Sequence, residues 1–281
     1  MPQIKSRDGT NLYYQINSAT HPRAVALLVH GYADHSGRYS ELVSELNNRG
    51  FTCYRFDYRG HGRSEGRRGH IDHFEDYLQD LQVMKQLVEV EQATLPRFII
   101  AHSHGGLMTH HSLGANATGW SGAVFSSPFF DFQIKVPLWK RLLGHSLSRI
   151  LPTFKMPTEI DPAWVSHDPA TVEGYGKDPL IGRHTTTRWF TEVLSIHDQN
   201  VPVAQQLSIP ILYQLAGDDL LVNREASVSL FEVLGSEDKT LKIYEDLYHE
   251  IWFEEETRRA PVLTDLFDWL ETHIGEVEIH D

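Results

Sequence analysis

One pentapeptide in the middle of the chain, Ala101-His102-Ser103-His104-Gly105, constrains the fold more than any other feature. It follows the apolar run 97–100 and precedes a segment with helical spacing that begins at Leu107. A serine between small residues, at a sharp turn from a strand into a helix, is typical of a nucleophile elbow. The strained turn holds the serine hydroxyl clear of the sheet, and alanine fits where glycine is usual. The pattern therefore predicts Ser103 as a nucleophile.

Acid and base candidates follow in the order that such a sheet needs, which is serine, then aspartate or glutamate, then histidine. The apolar run 209–215 predicts a buried strand, and Asp218 and Asp219 lie in the turn after it. His249 lies in the loop beyond the next predicted strand. Ligand sites of open α/β sheets form at the carboxyl ends of the strands. The sequence therefore predicts a triad of serine, aspartate and histidine, and its acid is either Asp218 or Asp219.

Two backbone N–H groups are candidates for an oxyanion hole, which stabilises the tetrahedral intermediate of acyl transfer. One belongs to His104, the residue after the predicted nucleophile. The other belongs to Tyr32, in the loop that follows the most apolar strand pattern, residues 24–29. We expect both groups to lie at the same edge of the sheet as Ser103.

Strand and helix patterns alternate along the chain, which predicts a mainly parallel sheet covered on both faces. Alternation over residues 11–16 predicts an antiparallel opening hairpin. Residues 129–200 interrupt this alternation, because they contain many prolines and tryptophans and no clean strand pattern. Insertions of this length are usually functional. We therefore expect a core of residues 1–128 and 201–281 and a cap or lid at 129–200.

Several segments resemble the monoacylglycerol lipase and lysophospholipase-like branch of the α/β-hydrolase superfamily. Its H-G-x-G-E-H-S-G-R-Y signature is similar to residues 30–39, His-Gly-Tyr-Ala-Asp-His-Ser-Gly-Arg-Tyr. Its D-x-R-G-H-G-x-S-x-G loop resembles residues 57–66, and its D-R-I-V segment resembles residues 219–222. Its K-T-L-K-I-Y and Y-H-E pieces resemble residues 239–244 and 248–250.

The resemblance covers nearly the whole chain and implies an α/β-hydrolase fold with a helical cap inserted after the strand that follows the nucleophile helix. It implies a catalytic triad of Ser103, Asp219 and His249, which places the acid at Asp219 rather than Asp218. Acyl transfer by such a triad needs no cofactor, so none is expected. The family usually has glutamate where Asp34 stands and a small residue where Tyr32 stands.

The resemblance also implies how the substrate is held. In relatives, the glutamate at the position of Asp34 and the following arginine, here Arg38, help to shape the polar end of the site. The apolar segment 136–151 is predicted as a helix that packs on the domain, as a lid whose apolar face lines an acyl channel, or as both. We therefore predict Asp34, Arg38, Trp139, Leu142 and Leu143 as substrate-binding residues, and a return helix of the lid over 186–196.

Composition limits the partners. Lys and Arg number 25 against 38 Asp and Glu, and the net charge of −13 disfavours nucleic acids and anionic membranes as standing partners. The single Cys53 excludes an internal disulfide. The cluster His102, His104, His110 and His111 lacks neighbouring carboxylate or thiolate ligands, so no metal site is predicted. Without a signal-peptide core or an apolar run of membrane-spanning length, we expect a soluble cytoplasmic enzyme of open oligomeric state.

Three functions follow from these patterns. The leading one is a serine hydrolase that cleaves carboxylic esters of medium- to long-chain fatty acids with a small alcohol, of the monoacylglycerol or lysophospholipid type. Its cap would make at most transient contact with lipid surfaces. The second is an amide or amino-terminal peptide hydrolase, whose cap would hold the substrate amine with acidic residues, of which the candidates are Glu159, Asp161, Asp168 and Glu173. The third is a non-catalytic binding module, which would require a broken triad or oxyanion hole.

Overall fold

The computed structural model describes residues 2–133, 136–158 and 160–275. Within these ranges the strands are β1 Gln3–Lys5, β2 Asn11–Asn17, β3 Ala24–Val29, β4 Phe51–Phe56, β5 Arg97–His102, β6 Gly122–Ser126, β7 Lys155–Pro157, β8 His184–Thr186, β9 Ile211–Ala216 and β10 Lys239–Tyr244. The α-helices are α1 Ser40–Asn48, α2 Phe74–Glu91, α3 His104–Ala115, α4 Leu138–Ile150, α5 Pro169–Lys177, α6 Thr187–His197, α7 Asn200–Ala204, α8 Arg224–Glu232 and α9 Glu256–His273.

Eight of the described strands form one twisted sheet in the order β1-β2-β4-β3-β5-β6-β9-β10. β1 and β2 pair antiparallel, as the alternation over 11–16 predicts, and β2 pairs antiparallel with β4. All other neighbours in this sheet are parallel. This is the mainly parallel sheet that the alternation predicts and the α/β-hydrolase architecture that the resemblance implies. It brings the carboxyl ends of β3, β5, β9 and β10 to one edge.

Helices cover both faces of the sheet, so its central strands are buried on both sides. Successive side chains of β3 enter opposite layers: Val25, Leu27 and Val29 pack with α2 and α3, whereas the residues between them pack with α1 and α9. The period of two is the reason, because neighbouring side chains of a strand point to opposite faces. On the α1 side of the sheet, α9 buries Val262 completely.

Residues 129–200, called the cap segment here, lie between β6 and β9 and contain α4, α5 and α6. The expectation of no clean strand there was wrong, because β7 and β8 pair antiparallel. Each has only three residues, too few to leave a periodic pattern in the sequence. The return helix predicted over 186–196 is α6, one residue later at each end.

The cap segment is tied to the loop after β3. The Gly182 N–H donates to the Ala33 carbonyl at 3.0 Å, and the Tyr32 hydroxyl donates to the His184 carbonyl at 3.3 Å. The Tyr32 ring also packs against Trp189 of α6, with ring centroids 4.1 Å apart.

None of the helices within the described ranges is long and apolar enough to cross a bilayer.

Candidate active site

The turn from β5 into α3 presents Ser103 in a strained conformation. Its backbone has φ 51° and ψ −119°, in a region that residues with a β-carbon rarely adopt. Glycine lets α3 begin close to β3, since a β-carbon at Gly105 would lie 2.4 Å from the His30 carbonyl oxygen. The turn has the geometry that a nucleophile elbow requires.

Hydrogen bonds join the three residues predicted as the triad. His249 Nε2 lies 2.9 Å from Ser103 Oγ, and His249 Nδ1 lies 2.7 Å from Asp219 Oδ2. The other Asp219 oxygen accepts the backbone N–H groups of Leu221 and Val222, each at 2.9 Å. All three triad candidates are buried, whereas Asp218 is exposed. The structure therefore brings Asp219, and not Asp218, to the histidine.

The electrostatic surroundings of His249 favour its charged form. Burial lowers the pKa of the imidazole, but the Asp219 carboxylate, through its charge and its hydrogen bond, outweighs burial and raises the pKa above the ordinary value. Glu250 and Asp34 add to this effect. An imidazole in this setting can accept a proton from Ser103 and remain paired.

The two predicted oxyanion donors flank Ser103. His104 is the first residue of α3, and its N–H belongs to the helix turn whose donors have no partner inside the helix. Gly31, directly before Tyr32, packs on the serine: a β-carbon there would lie 3.3 Å from Ser103 Cβ. In the described part of the chain, neither the Tyr32 nor the His104 N–H donates to another backbone carbonyl.

A cavity of about 650 Å³ opens over Ser103 and His249. Its walls are mostly apolar and come from the cap segment and from the loop after β9; they include Phe129, Phe132, Met156, Ile160, Trp164, Trp189, Phe190, Leu220 and Leu221. The wall also contains polar side chains, among them those of Asp34, Thr158, Thr185 and Glu250. Cavities of this size hold small molecules, and few polar groups in an apolar wall fix their orientation.

Asp34 and Arg38, predicted as substrate contacts, form a buried ionic group with Glu250. Arg38 Nη1 donates to Asp34 Oδ1 at 3.1 Å and to Glu250 Oε1 at 2.7 Å, and Arg38 Nη2 donates to Glu250 Oε2 at 2.5 Å. Burial alone would raise the pKa of Asp34, but Arg38 and nearby histidines lower it to about 2. Asp34 and Glu250 line the cavity, whereas Arg38 lies behind them.

Trp139, Leu142 and Leu143 do not line the cavity, contrary to the prediction from the sequence. Their side chains are 62%, 60% and 59% exposed. The reason is the orientation of α4, which turns a face of small and polar residues toward α6. Ser148 of that face bonds Thr191, and Gly144 approaches Phe190.

The acidic residues suggested as ligands of a substrate amine lie elsewhere. Asp161 and Asp168 accept backbone N–H groups at the starts of helical turns, and Glu173 pairs with Lys177 on an exposed surface. None of the three lines the cavity. Glu159 lies outside the described residues.

The dense histidine cluster has structural contacts. His110 and His111 bond Asn200 through their Nε2 atoms, at 3.0 and 2.8 Å, and His102 bonds Ser126. Across the described ranges, no group of three or more potential ligand side chains is arranged to hold a metal ion.

Sequence reasoning missed Glu250 and most of the cavity wall. Glu250 directly follows the predicted catalytic histidine, and an acidic residue there was a usable signal. The sequence gives no sign that the wall residues Phe129, Phe132 and Leu221 line a cavity, because apolar residues of the same types also fill the core.

Known proteins resemble this chain in both sequence and fold. The family described as serine aminopeptidase S33 matches residues 20–256. The monoacylglycerol lipase of Mycolicibacterium smegmatis is 32% identical over 95% of this chain and 95% of that protein. An uncharacterized abhydrolase domain-containing protein of Dictyostelium discoideum is 32% identical over 90% of this chain, which spans 27% of that protein's length. The crystal structure of the Paleococcus ferrophilus monoacylglycerol lipase superposes with a TM-score of 0.83 at 30% identity, covering 93% of this chain and 99% of the other.

The contact between His249 and Asp219 predicts how the imidazole titrates. NMR of histidines labelled at Cε1, with the signal assigned through His249→Gln, should give a pKa above the ordinary value of about 6.5. Asp219→Asn should lower this pKa, because the paired charge is lost. Asp218→Asn is the matched control and should leave it unchanged. A titration that shifts with Asp218 and not with Asp219 would contradict the geometry.

Proposed function

The chain belongs to the serine aminopeptidase S33 family of α/β-hydrolases, as a monoacylglycerol lipase-like carboxylic ester hydrolase, and we propose that it cleaves esters of one medium- or long-chain fatty acid with a small alcohol. The observation that carries the proposal is the hydrogen-bonded chain from Ser103 through His249 to Asp219 at the floor of a mostly apolar cavity. Monoacylglycerols and lysophospholipids are esters of one fatty acid and are the proposed substrate types.

The first half-reaction acylates the serine. His249 Nε2 takes the proton of Ser103 Oγ as this oxygen attacks the ester carbonyl, and Asp219 holds the imidazolium. The Tyr32 and His104 N–H groups stabilise the negative oxygen of the tetrahedral intermediate. The intermediate collapses with cleavage of the bond to the alcohol oxygen, which takes the proton from His249.

The second half-reaction releases the fatty acid. Water gives a proton to His249 and attacks the carbonyl of the acyl-enzyme. The second tetrahedral intermediate collapses with cleavage of the bond to Ser103 Oγ, and His249 returns the proton to this oxygen. Each half-reaction therefore begins with the transfer of a proton to neutral His249. Because its pKa is raised, kcat/KM should fall as the pH decreases through that value.

The cavity supports a lipid ester over an amide of a charged amine. Its apolar wall suits an acyl chain, and each methylene buried there contributes about 0.8 kcal/mol. The polar side chains in the wall suit a small alcohol with hydroxyl groups. An amino-terminal peptide would need a free carboxylate, and both carboxylates in the wall are already bonded to Arg38.

We further propose that α4 contacts lipid aggregates transiently. Its outward face carries Leu138, Leu142, Leu143 and Ile150, each at least 59% exposed. An exposed apolar face of this kind suits a lipid interface. Its opposite face packs on α6, which also forms part of the cavity wall, so lipid contact would bring substrate close to the site.

Ser103→Ala should abolish hydrolysis of a p-nitrophenyl ester with the fold intact, because it removes only the attacking hydroxyl. A fluorophosphonate should label the wild-type protein at Ser103, as mass spectrometry of the labelled peptide would determine. Ser127→Ala is the control, because Ser127 is also buried with a positive φ of 40°, but its hydroxyl accepts the Ala216 N–H, whereas that of Ser103 meets His249. Labelling that persists in Ser103→Ala would contradict the nucleophile assignment.

Substrate preference should follow the single apolar cavity. We expect kcat/KM to be higher for a monoacylglycerol than for the triacylglycerol of equal chain length, and higher for decanoyl than for acetyl aryl esters. Phe132→Ala should weaken the dependence on chain length, because Phe132 lines the cavity. Leu143→Ala should leave it unchanged. Equal hydrolysis of mono- and triacylglycerol would contradict the proposed substrate class.

Leu142→Glu with Leu143→Glu should reduce cosedimentation with vesicles of zwitterionic phosphatidylcholine by about tenfold, because two charges would enter the interface. Hydrolysis of a soluble acetyl aryl ester should not change. Val90→Glu is the control, because Val90 is 82% exposed on α2. Undiminished vesicle binding by the double variant would show that α4 is not the contact.

A further inference from the structure

Tyr58 lies fully buried in the loop after β4, behind the loop that carries Tyr32. Its ring is stacked on His30, with centroids 4.2 Å apart and planes 9° from parallel. It also meets the edge of Tyr77, with centroids 5.0 Å apart. These contacts hold the ring in one orientation and direct its hydroxyl at the loop after β3.

The Tyr58 hydroxyl donates to the Gly31 carbonyl oxygen at 2.7 Å. His30 Nδ1 lies 2.8 Å from the same oxygen. A carbonyl oxygen only accepts, so His30 donates as well, and its proton is on Nδ1. Two donors therefore hold one backbone carbonyl. The same hydroxyl lies 3.4 Å from Nδ1 of His104, the other proposed oxyanion residue.

The held carbonyl and the Tyr32 N–H belong to the same peptide unit. This unit is planar and trans, so its C=O and N–H point in opposite directions. A bond that fixes the carbonyl therefore also fixes the direction of the N–H. If the Gly31 carbonyl were free to rotate, the Tyr32 N–H would turn with it.

We propose that Tyr58 is a positioning residue for the oxyanion hole: its hydroxyl anchors the Gly31 carbonyl and thereby aims the Tyr32 N–H at the oxyanion. This inference rests on the proposed Ser103 mechanism. It assigns a role in the reaction to a residue that does not line the cavity. The Tyr32 N–H interacts with the negative oxygen that forms during the reaction. Loss of the Tyr58 hydroxyl should therefore weaken stabilisation of the transition state and leave binding of the substrate unchanged.

The test is Tyr58→Phe, which removes the hydroxyl and keeps the ring stacked on His30. Loss of an oxyanion donor costs about 10²- to 10³-fold in kcat, and because His30 still holds the carbonyl we expect a decrease of about 10- to 100-fold here. KM for a p-nitrophenyl ester should stay within about twofold, since ground-state binding does not use this N–H. An alkylboronic acid, which forms a tetrahedral adduct with a negative oxygen, should bind more weakly by a similar factor to kcat.

Tyr77→Phe is the matched control. Tyr77 is also fully buried and contacts both Tyr58 and His104, but its hydroxyl does not bond the Gly31 carbonyl. We expect its kcat and boronate affinity to stay within about twofold of wild type. Urea unfolding of both variants measures how much the free energy of unfolding decreases when a buried hydroxyl is removed at either position.

An unchanged kcat in Tyr58→Phe would overturn the proposal. An equal decrease of kcat in Tyr77→Phe would also overturn it, because the decrease would then come from a general disturbance of packing and not from the bond to the Gly31 carbonyl. The use of an aryl ester makes the result independent of the natural lipid. Retained activity in Ser103→Ala would contradict the proposed mechanism itself. Full activity in Tyr58→Phe beside an inactive Ser103→Ala would contradict only the positioning role.

Discussion

The close approach of α3 to β3 is the constraint on which the site depends. Gly105 lets the helix begin against the His30 carbonyl, and Ser103 then takes a left-handed backbone conformation. This geometry puts the serine hydroxyl within reach of His249 and places the first N–H of α3 beside it. A larger residue at Gly105 would push the helix away and separate these groups.

Charge distinguishes one histidine from the others near the site. Burial lowers the pKa of His30, His102 and His104, and it lowers that of His61 to about 3. These rings stay neutral and serve as packing and hydrogen-bonding groups. His249 is equally buried, but the Asp219 carboxylate outweighs burial and raises its pKa. The site can therefore concentrate proton transfer on one imidazole among several.

The cap segment shows where sequence patterns mislead. The apolar positions of α4 have helical spacing, and such a stripe normally faces the core. Here α6 meets α4 on the opposite face, through Thr191 and Phe190, and leaves Leu142 and Leu143 outside. Periodicity identified the helix but not its rotation, because rotation depends on which neighbour the helix packs against.

The sequence by itself determined the alternating sheet, the position of the elbow and the order of serine, aspartate and histidine, because these follow from local periodicity and from turns at strand ends. Only the tertiary structure decided which side chains form the cavity wall, and that Arg38 joins Asp34 to Glu250, 212 residues away from the arginine. It also decided that Tyr58 holds the Gly31 carbonyl. These contacts join separate segments of the chain, and no spacing within one segment records them.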